Sequence, residues 1–113
     1  MIKIYHNPRC SKSRQGLEIL KNSGKEFEIV TYLENILTEE ELTLVLEKLQ
    51  IEPIDLVRKN ETIWKAQYKG KELTNKETIK TLVLNPKLIE RPIVINGENA
   101  VIGRPPEIIK TIL

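Results

Sequence analysis

The chain has 113 residues, a length that favours one domain with a single hydrophobic core. Hydrophobic residues make up 40% of it and charged residues 30%, a balance that excludes a disordered chain. The 18 basic and 16 acidic residues are interleaved, so no basic stripe marks a nucleic-acid partner. No apolar run approaches the ~20 residues of a membrane span, and a lone cysteine excludes an internal disulfide. We therefore expect a cytoplasmic protein without a membrane partner.

The first third of the chain predicts a βαβ unit. Residues 1–5 alternate between apolar and polar side chains, as a strand does, and residues 11–23 have helical periodicity. Gly24 follows this helix at the position where a left-handed residue is favoured. Residues 26–32 alternate again. Because the connections are short, we expect two parallel strands with a right-handed crossover.

The middle of the chain is predicted to be helical. Thr38 and Glu41 form a capping box ahead of apolar residues at helical spacing, and Thr74 and Glu77 repeat the arrangement. We expect this segment, about residues 36–88, to be an insertion between two parts of one sheet.

The last part of the chain predicts a ββα unit. Residues 92–95 and 100–102 flank Asn96 and Gly97, a strong hairpin signal, and a final helix runs to the end of the chain. Joined to the βαβ unit, it gives an α/β fold with a four-stranded mixed sheet. With a thiol at the first strand-to-helix junction, this is a thioredoxin-like layout. We expect the whole chain to form one such domain.

Cys10 is the only cysteine and lies at the junction of the first predicted strand and helix. A buried structural cysteine is one interpretation, but the polar and basic neighbours favour an activated nucleophile. Helix N–H groups and nearby cations lower a thiol's pKa, so thiolate is expected to persist below the ~8.5 of a free cysteine. Ser13 occupies the position of the second thiol in a Cys-x-x-Cys motif. Any disulfide must therefore form with an outside thiol such as glutathione.

His6 lies four residues before Cys10 in the sequence, and Arg14 lies four residues after it. His6 either holds the thiolate or moves a proton, or is a surface histidine that caps the loop; the sequence leaves both open. Arg14 shares a face with Cys10 on a helix that begins at the cysteine. Arg14 is also compatible with a solvated surface charge, but its neighbours favour stabilisation of the thiolate or of an incoming oxyanion.

Three further arginines, Arg58, Arg91 and Arg104, each lie beside a break in the chain. Arginine binds tetrahedral oxyanions in a bidentate, planar way that lysine cannot copy. Spacing alone does not select these three from 18 basic residues, and each is also compatible with a surface ion pair. Pro92 opens a strand that faces the thiol in a thioredoxin-like layout, and we predict a cis Arg91-Pro92 bond.

Short motifs along the whole chain resemble, in register, the glutaredoxin-dependent arsenate reductase (ArsC-like) family. They are Ile4-Tyr5-His6-Asn7-Pro8 leading to Cys10 and Ser13-Arg14, then Tyr32-Leu33-Glu34, Leu56-Val57-Arg58-Lys59-Asn60, Asn85-Pro86, Arg91-Pro92-Ile93-Val94 and Arg104-Pro105.

The resemblance implies a thioredoxin-like fold with a helical insertion, and arsenate reductase activity. It implies that Cys10 attacks arsenate and displaces water, and that His6 keeps the thiol reactive. Three arginines are then expected to bind the oxyanion: Arg58, Arg91 and Arg104. We place Ser13 in the same substrate site. Glutathione, the implied co-substrate, reduces the arsenic and leaves a mixed disulfide on Cys10, which glutaredoxin resolves. No bound cofactor or metal is expected.

Two other functions are compatible with this sequence. Ser11-Lys12 stands where the family's well-studied members carry Gly-Thr, and Arg9 precedes the thiol where a small residue is common. A monothiol, glutathione-linked oxidoreductase with another substrate is therefore one alternative. The other is a Spx-like regulator that binds RNA polymerase. Most such regulators carry a Cys-x-x-Cys switch, which Ser13 removes here.

Overall fold

The computed structural model describes all 113 residues. They form two compact units, one of residues 1–35 and 91–113 and the other of residues 36–90. No helix in either unit is both long enough and apolar enough to cross a bilayer. The expectation of a single domain stays a prediction.

The first unit contains a mixed sheet of four strands. These are β1 (Ile2–Tyr5), β2 (Phe27–Val30), β3 (Ile93–Asn96) and β4 (Asn99–Ile102), in the order β2-β1-β3-β4. β1 is parallel to β2 and antiparallel to β3, which is antiparallel to β4. The predicted α/β class and the mixed four-stranded sheet are confirmed.

The hairpin between β3 and β4 differs from the predicted one by a residue. Asn96 pairs with Asn99, so Gly97 and Glu98 form the loop, with Gly97 at φ +63°. The Asn96 side-chain amide donates to the carbonyl of Ile112 at 2.7 Å. This long-range bond holds Asn96 in the strand rather than in the turn.

Helix α1 (Ser11–Asn22) packs against a 3₁₀ helix, Pro106–Ile112, and its Leu20 side chain joins a hydrophobic cluster with strand residues of the sheet. This hydrophobic cluster is formed by the buried residues Ile2, Ile4, Leu20, Val94 and Ile109. The final segment is a 3₁₀ helix rather than an α-helix, with Pro105 as its N-cap residue and Pro106 at its first position. The N–H of Ile108 donates to the Pro105 carbonyl at 3.1 Å, an i to i+3 bond.

Gly16 lies where α1 passes closest to Pro92 and Ile109. A methyl group on Gly16 would meet the Pro92 ring carbon Cγ and the Ile109 Cδ1 atom, each at 2.9 Å. A Cβ on Gly103 would meet the same two atoms at the same distances. Two glycines therefore allow the chain to close around Pro92, the residue after Arg91.

The second unit is helical, with α2 (Glu39–Leu49), α3 (Thr62–Gln67) and α4 (Asn75–Leu84). Both predicted capping boxes are confirmed. Thr38 accepts from the N–H of Glu41 and donates its own N–H to the Glu41 carboxylate, each at 3.1 Å. The corresponding bonds at the start of α4 measure 3.1 and 2.9 Å. Short 3₁₀ helices at Pro53–Leu56 and Pro86–Leu88 complete the unit.

Candidate active site

Cys10 is the N-cap residue of α1, immediately before the first helical position. Its backbone is extended, with φ −96° and ψ 123°, and its carbonyl accepts the first helical bond from the N–H of Arg14 at 3.0 Å. The side chain is half-buried. The Sγ atom thus lies beside the unpaired N–H groups of the first helical turn.

The surroundings of Cys10 favour its thiolate form. Burial by itself raises the pKa of the thiol. The backbone N–H of Ser13, the guanidinium of Arg91 and the backbone N–H of Lys12 act in the opposite direction and outweigh it. The pKa of the Cys10 thiol therefore lies below its ordinary value, and more thiolate is present at neutral pH than in a free cysteine.

Two of the three predicted arginines lie at the thiol. Arg104 donates from Nη2 to the Cys10 Sγ atom at 3.3 Å and from Nε to the Arg91 carbonyl at 2.8 Å. Arg91 is buried, and its guanidinium interacts with the same thiol. The Arg91-Pro92 bond is cis, as predicted, and the Arg104-Pro105 bond is also cis, for which the sequence carried no signal.

The third arginine, Arg58, belongs to the unit of residues 36–90. Its N–H donates to the Leu88 carbonyl at 2.7 Å, and its Nε atom is 3.3 Å from a carboxylate oxygen of Glu61. Its role in oxyanion binding stays a prediction.

His6 is buried, so the alternative of a surface histidine is wrong. Its Nδ1 atom lies 2.7 Å from the Ser13 Oγ atom, which also accepts the N–H of Asn7 at 2.9 Å. Ser13 is itself fully buried, and its hydroxyl is held within the loop while its backbone N–H faces the thiol. His6 therefore contacts Ser13, and it is Ser13 rather than His6 that interacts with the Cys10 thiol. The predicted roles of His6 in catalysis and Ser13 in substrate binding stay predictions.

Arg14 is exposed and donates from Nη1 to the Pro8 carbonyl at 2.9 Å. It stabilises the loop in front of the thiol, and its charge adds to the cations near His6. Stabilisation of the thiolate by Arg14 remains a prediction.

The burial of His6 predicts a pH effect on stability. Burial lowers the pKa of His6 from its ordinary 6.5, and the charges of Arg14 and Lys21 lower it further, against an opposing hydrogen bond with Ser13. Below pH 6.5 the unfolded chain therefore binds a proton that the folded chain resists. We expect the free energy of unfolding to fall as the pH drops through this window, by at most about 1.4 kcal/mol per pH unit.

Urea unfolding at about pH 7.5 and about pH 5.5 measures this effect. The His6→Asn variant is the comparison, because asparagine keeps a polar group near Ser13 and does not titrate. Both proteins carry Cys10→Ser, so that titration of the Cys10 thiol does not contribute to the pH dependence of stability. Equal losses of stability on acidification in the two proteins would contradict the expected role of His6.

Asn7 is a residue of this site that was not assigned from the sequence. It is buried, and its side-chain Oδ1 atom accepts the N–H of Arg9 at 3.0 Å. The signal was present, because asparagine before proline is typical of a turn closed by the asparagine side chain.

Comparisons with known proteins agree with this fold. A sequence model described as the ArsC family matches residues 5–112. The chain is 44% identical over 108 residues to the uncharacterized protein YfgD of Escherichia coli, covering 94% of this chain and 91% of that protein. It is 41% identical over 112 residues to a protein named arsenate reductase of Haemophilus influenzae, covering 97% of each.

Among solved structures, one described as arsenate reductase from Vibrio cholerae has a TM-score of 0.95 and 38% identity. The superposition covers 99% of this chain and 97% of that one. Another, described as a putative arsenate reductase from Yersinia pestis, has a TM-score of 0.93 at 38% identity, covering 99% and 100%. The thioredoxin-like fold is thus confirmed. Since sequence and fold both match over nearly the full length, this chain belongs to the ArsC family.

Proposed function

We propose that this protein is an arsenate reductase that uses Cys10 as its nucleophile and glutathione with glutaredoxin as its reductants. The observation that carries the proposal is the Arg104 Nη2 atom 3.3 Å from the Sγ atom of an N-cap cysteine. A thiolate beside a planar guanidinium suits attack on an oxyanion, because the cation binds the substrate oxygens next to the nucleophile. The reductase names of the relatives from Haemophilus influenzae and Vibrio cholerae support arsenate as the substrate.

The first chemical step forms a bond between sulfur and arsenic. Arg91 and Arg104 hold the oxyanion and offset its charge, so that it approaches the thiolate of Cys10. The Sγ atom attacks arsenic, and one hydroxyl group of arsenate takes up the proton of another arsenate hydroxyl and leaves as water. Arsenic remains in its pentavalent state on the sulfur.

The second step is the reduction. The thiol of glutathione attacks the adduct, and a disulfide forms between glutathione and Cys10 while the electron pair of the sulfur–arsenic bond passes to arsenic. Arsenic leaves in the trivalent state as arsenite. Each sulfur has been oxidised by one electron and arsenic reduced by two, so the step balances.

Regeneration of Cys10 needs an external thiol, because Ser13 stands where a second cysteine would resolve the disulfide. Glutaredoxin, whose own thiol takes up the glutathione group, has the chemistry for this exchange. A reductant supply of this kind belongs to a reducing compartment, and the cytoplasm is the predicted location.

Arsenite production from arsenate, with glutathione and glutaredoxin both supplied, tests the proposal. We expect turnover by the wild-type protein and none above background by Cys10→Ser. Omission of glutaredoxin should leave one equivalent of glutathione on Cys10, detected by mass spectrometry as a mixed disulfide.

The outcomes separate the two oxidoreductase functions. Wild-type turnover no higher than that of Cys10→Ser would refute arsenate reduction. A glutathione adduct on Cys10 in the absence of arsenate turnover would instead support a glutathione-linked oxidoreductase with another substrate. Turnover with a thioredoxin in place of glutaredoxin, and none with glutaredoxin, would refute the proposed reductant alone.

A further inference from the structure

The loop between β1 and α1 is arranged around Asn7, which is only 5% exposed. Its backbone N–H donates to the Ser13 Oγ atom at 2.9 Å, and its carbonyl accepts the N–H of Cys10 at 3.0 Å. Its side-chain Oδ1 atom accepts the N–H of Arg9 at 3.0 Å. One residue thus bonds to three points of the loop that carries the nucleophile.

Only one of these bonds depends on the side chain. Every amino acid except proline supplies the backbone donor and acceptor, but the bond to Arg9 needs an acceptor on the second side-chain carbon or close to it. This bond closes a turn over Pro8, and the next residue after Arg9 is Cys10. The side chain of Asn7 therefore fixes the direction in which the chain enters α1.

We propose that Asn7 is a positioning residue for Cys10, whose side chain holds the loop so that the Sγ atom stays at the N-terminus of α1 and beside Arg104. The inference rests on the proposed function in taking Cys10 as the reacting group. It adds a residue that acts on the nucleophile without touching the substrate.

The choice of an amide agrees with this role. Aspartate would accept the same N–H bond, but its negative charge would lie three residues from a thiolate and oppose its formation. Asparagine supplies the acceptor without the charge. No acidic residue occurs in the first turn of α1 either, so the anionic sulfur has no carboxylate in that turn.

Alkylation of Cys10 by iodoacetamide, followed as a function of pH by mass spectrometry, tests the proposal without arsenate. Asn7→Ala removes the acceptor, and Asn7→Gln moves it by one methylene group. In both we expect the midpoint of alkylation to rise by about one pH unit and the rate near neutral pH to fall about tenfold. Asn7→Ser, which keeps a weaker hydroxyl acceptor, should lie between these variants and the wild type.

Asn35→Ala is the matched control, because Asn35 is exposed and bonds only to Thr31 in a loop away from α1 in sequence. Its midpoint should equal that of the wild type. A residue with a purely structural role would lower the melting temperature and leave the midpoint unchanged. A folded Asn7→Ala or Asn7→Gln protein with the wild-type midpoint would therefore overturn the proposal.

If neither Asn7→Ala nor Asn7→Gln folds, Asn7→Ser is the test. A folded Asn7→Ser protein with the wild-type midpoint of alkylation would then overturn the proposal. Absence of arsenate turnover in the wild type, with the midpoint shifts as expected, would refute the proposed function and leave the role of Asn7 standing.

Discussion

Replacing Arg104 with lysine is expected to lower kcat/KM for arsenate about a hundredfold, a loss of ~3 kcal/mol in transition-state stabilisation. The guanidinium of Arg104 makes two directed bonds at once, from Nη2 to the Cys10 Sγ atom and from Nε to the Arg91 carbonyl. A lysine keeps the positive charge, but its single ammonium group cannot reproduce the planar pair of donors. The variant therefore tests geometry rather than charge.

Steady-state kinetics with glutathione and glutaredoxin in excess measures the loss. Arg9→Lys is the matched control, because Arg9 also neighbours the thiol, is exposed and makes no side-chain hydrogen bond or ion pair in the structure. We expect the control to change kcat/KM less than about threefold, in the range typical of an exposed charge. Both variants keep the positive charge, so a loss in Arg104→Lys no larger than that in Arg9→Lys would show that the planar pair of donors of Arg104 is not required.

The second large effect is expected on stability. Gly16→Val should lower the free energy of unfolding by about 2 kcal/mol or more, because the new side chain has no room between α1, Pro92 and Ile109. The end of Ile109 can rotate away, but the ring of Pro92 is rigid. Intrinsic helix propensity acts in the opposite direction, since valine is better tolerated in a helix than glycine by a few tenths of a kcal/mol.

Gln15→Val is the control for the effect of valine on helix propensity alone. Gln15 is the exposed neighbour of Gly16 on the same helix, so a valine there makes no contact with Pro92. We expect this control to cost less than about 0.5 kcal/mol. Urea unfolding of the two variants and the wild type compares them directly. A Gly16→Val protein as stable as the Gln15→Val protein would show that the contact at Pro92 relaxes without cost.

The features that the sequence predicted well are local ones. The capping boxes of α2 and α4 depend on side chains three residues apart, and the βαβ unit depends on periodicities that do not need a partner. The hairpin shifted by one residue because Asn96 bonds to Ile112, a contact across 16 positions that no turn rule contains. The final helix is a 3₁₀ helix, a distinction that the apolar spacing of so short a segment did not make.

The site followed the same division. The position of Cys10 at a helix N-terminus could be predicted from the neighbouring residues, and so could the turn at Asn7. Arg104 lies 94 positions from the thiol that it contacts, so spacing alone had no means of choosing it among the basic residues. The hydrogen bond between His6 and Ser13 could not be predicted, for a different reason. Both side chains are buried, whereas the polar sequence of the loop suggested an exposed segment.

The separation of 94 positions between Cys10 and Arg104 also sets the order in which the protein acquires its chemistry during translation. Cys10 leaves the ribosome early, together with β1. The strand β3, which pairs with β1, is synthesised only after the helical segment of residues 36–90. Arg91 and Arg104 follow near the end of synthesis. Until then the nascent thiol lacks both guanidinium groups, which in the folded protein interact with its sulfur. We therefore expect the thiol of the growing chain to react more slowly with oxidants and disulfides than that of the finished protein.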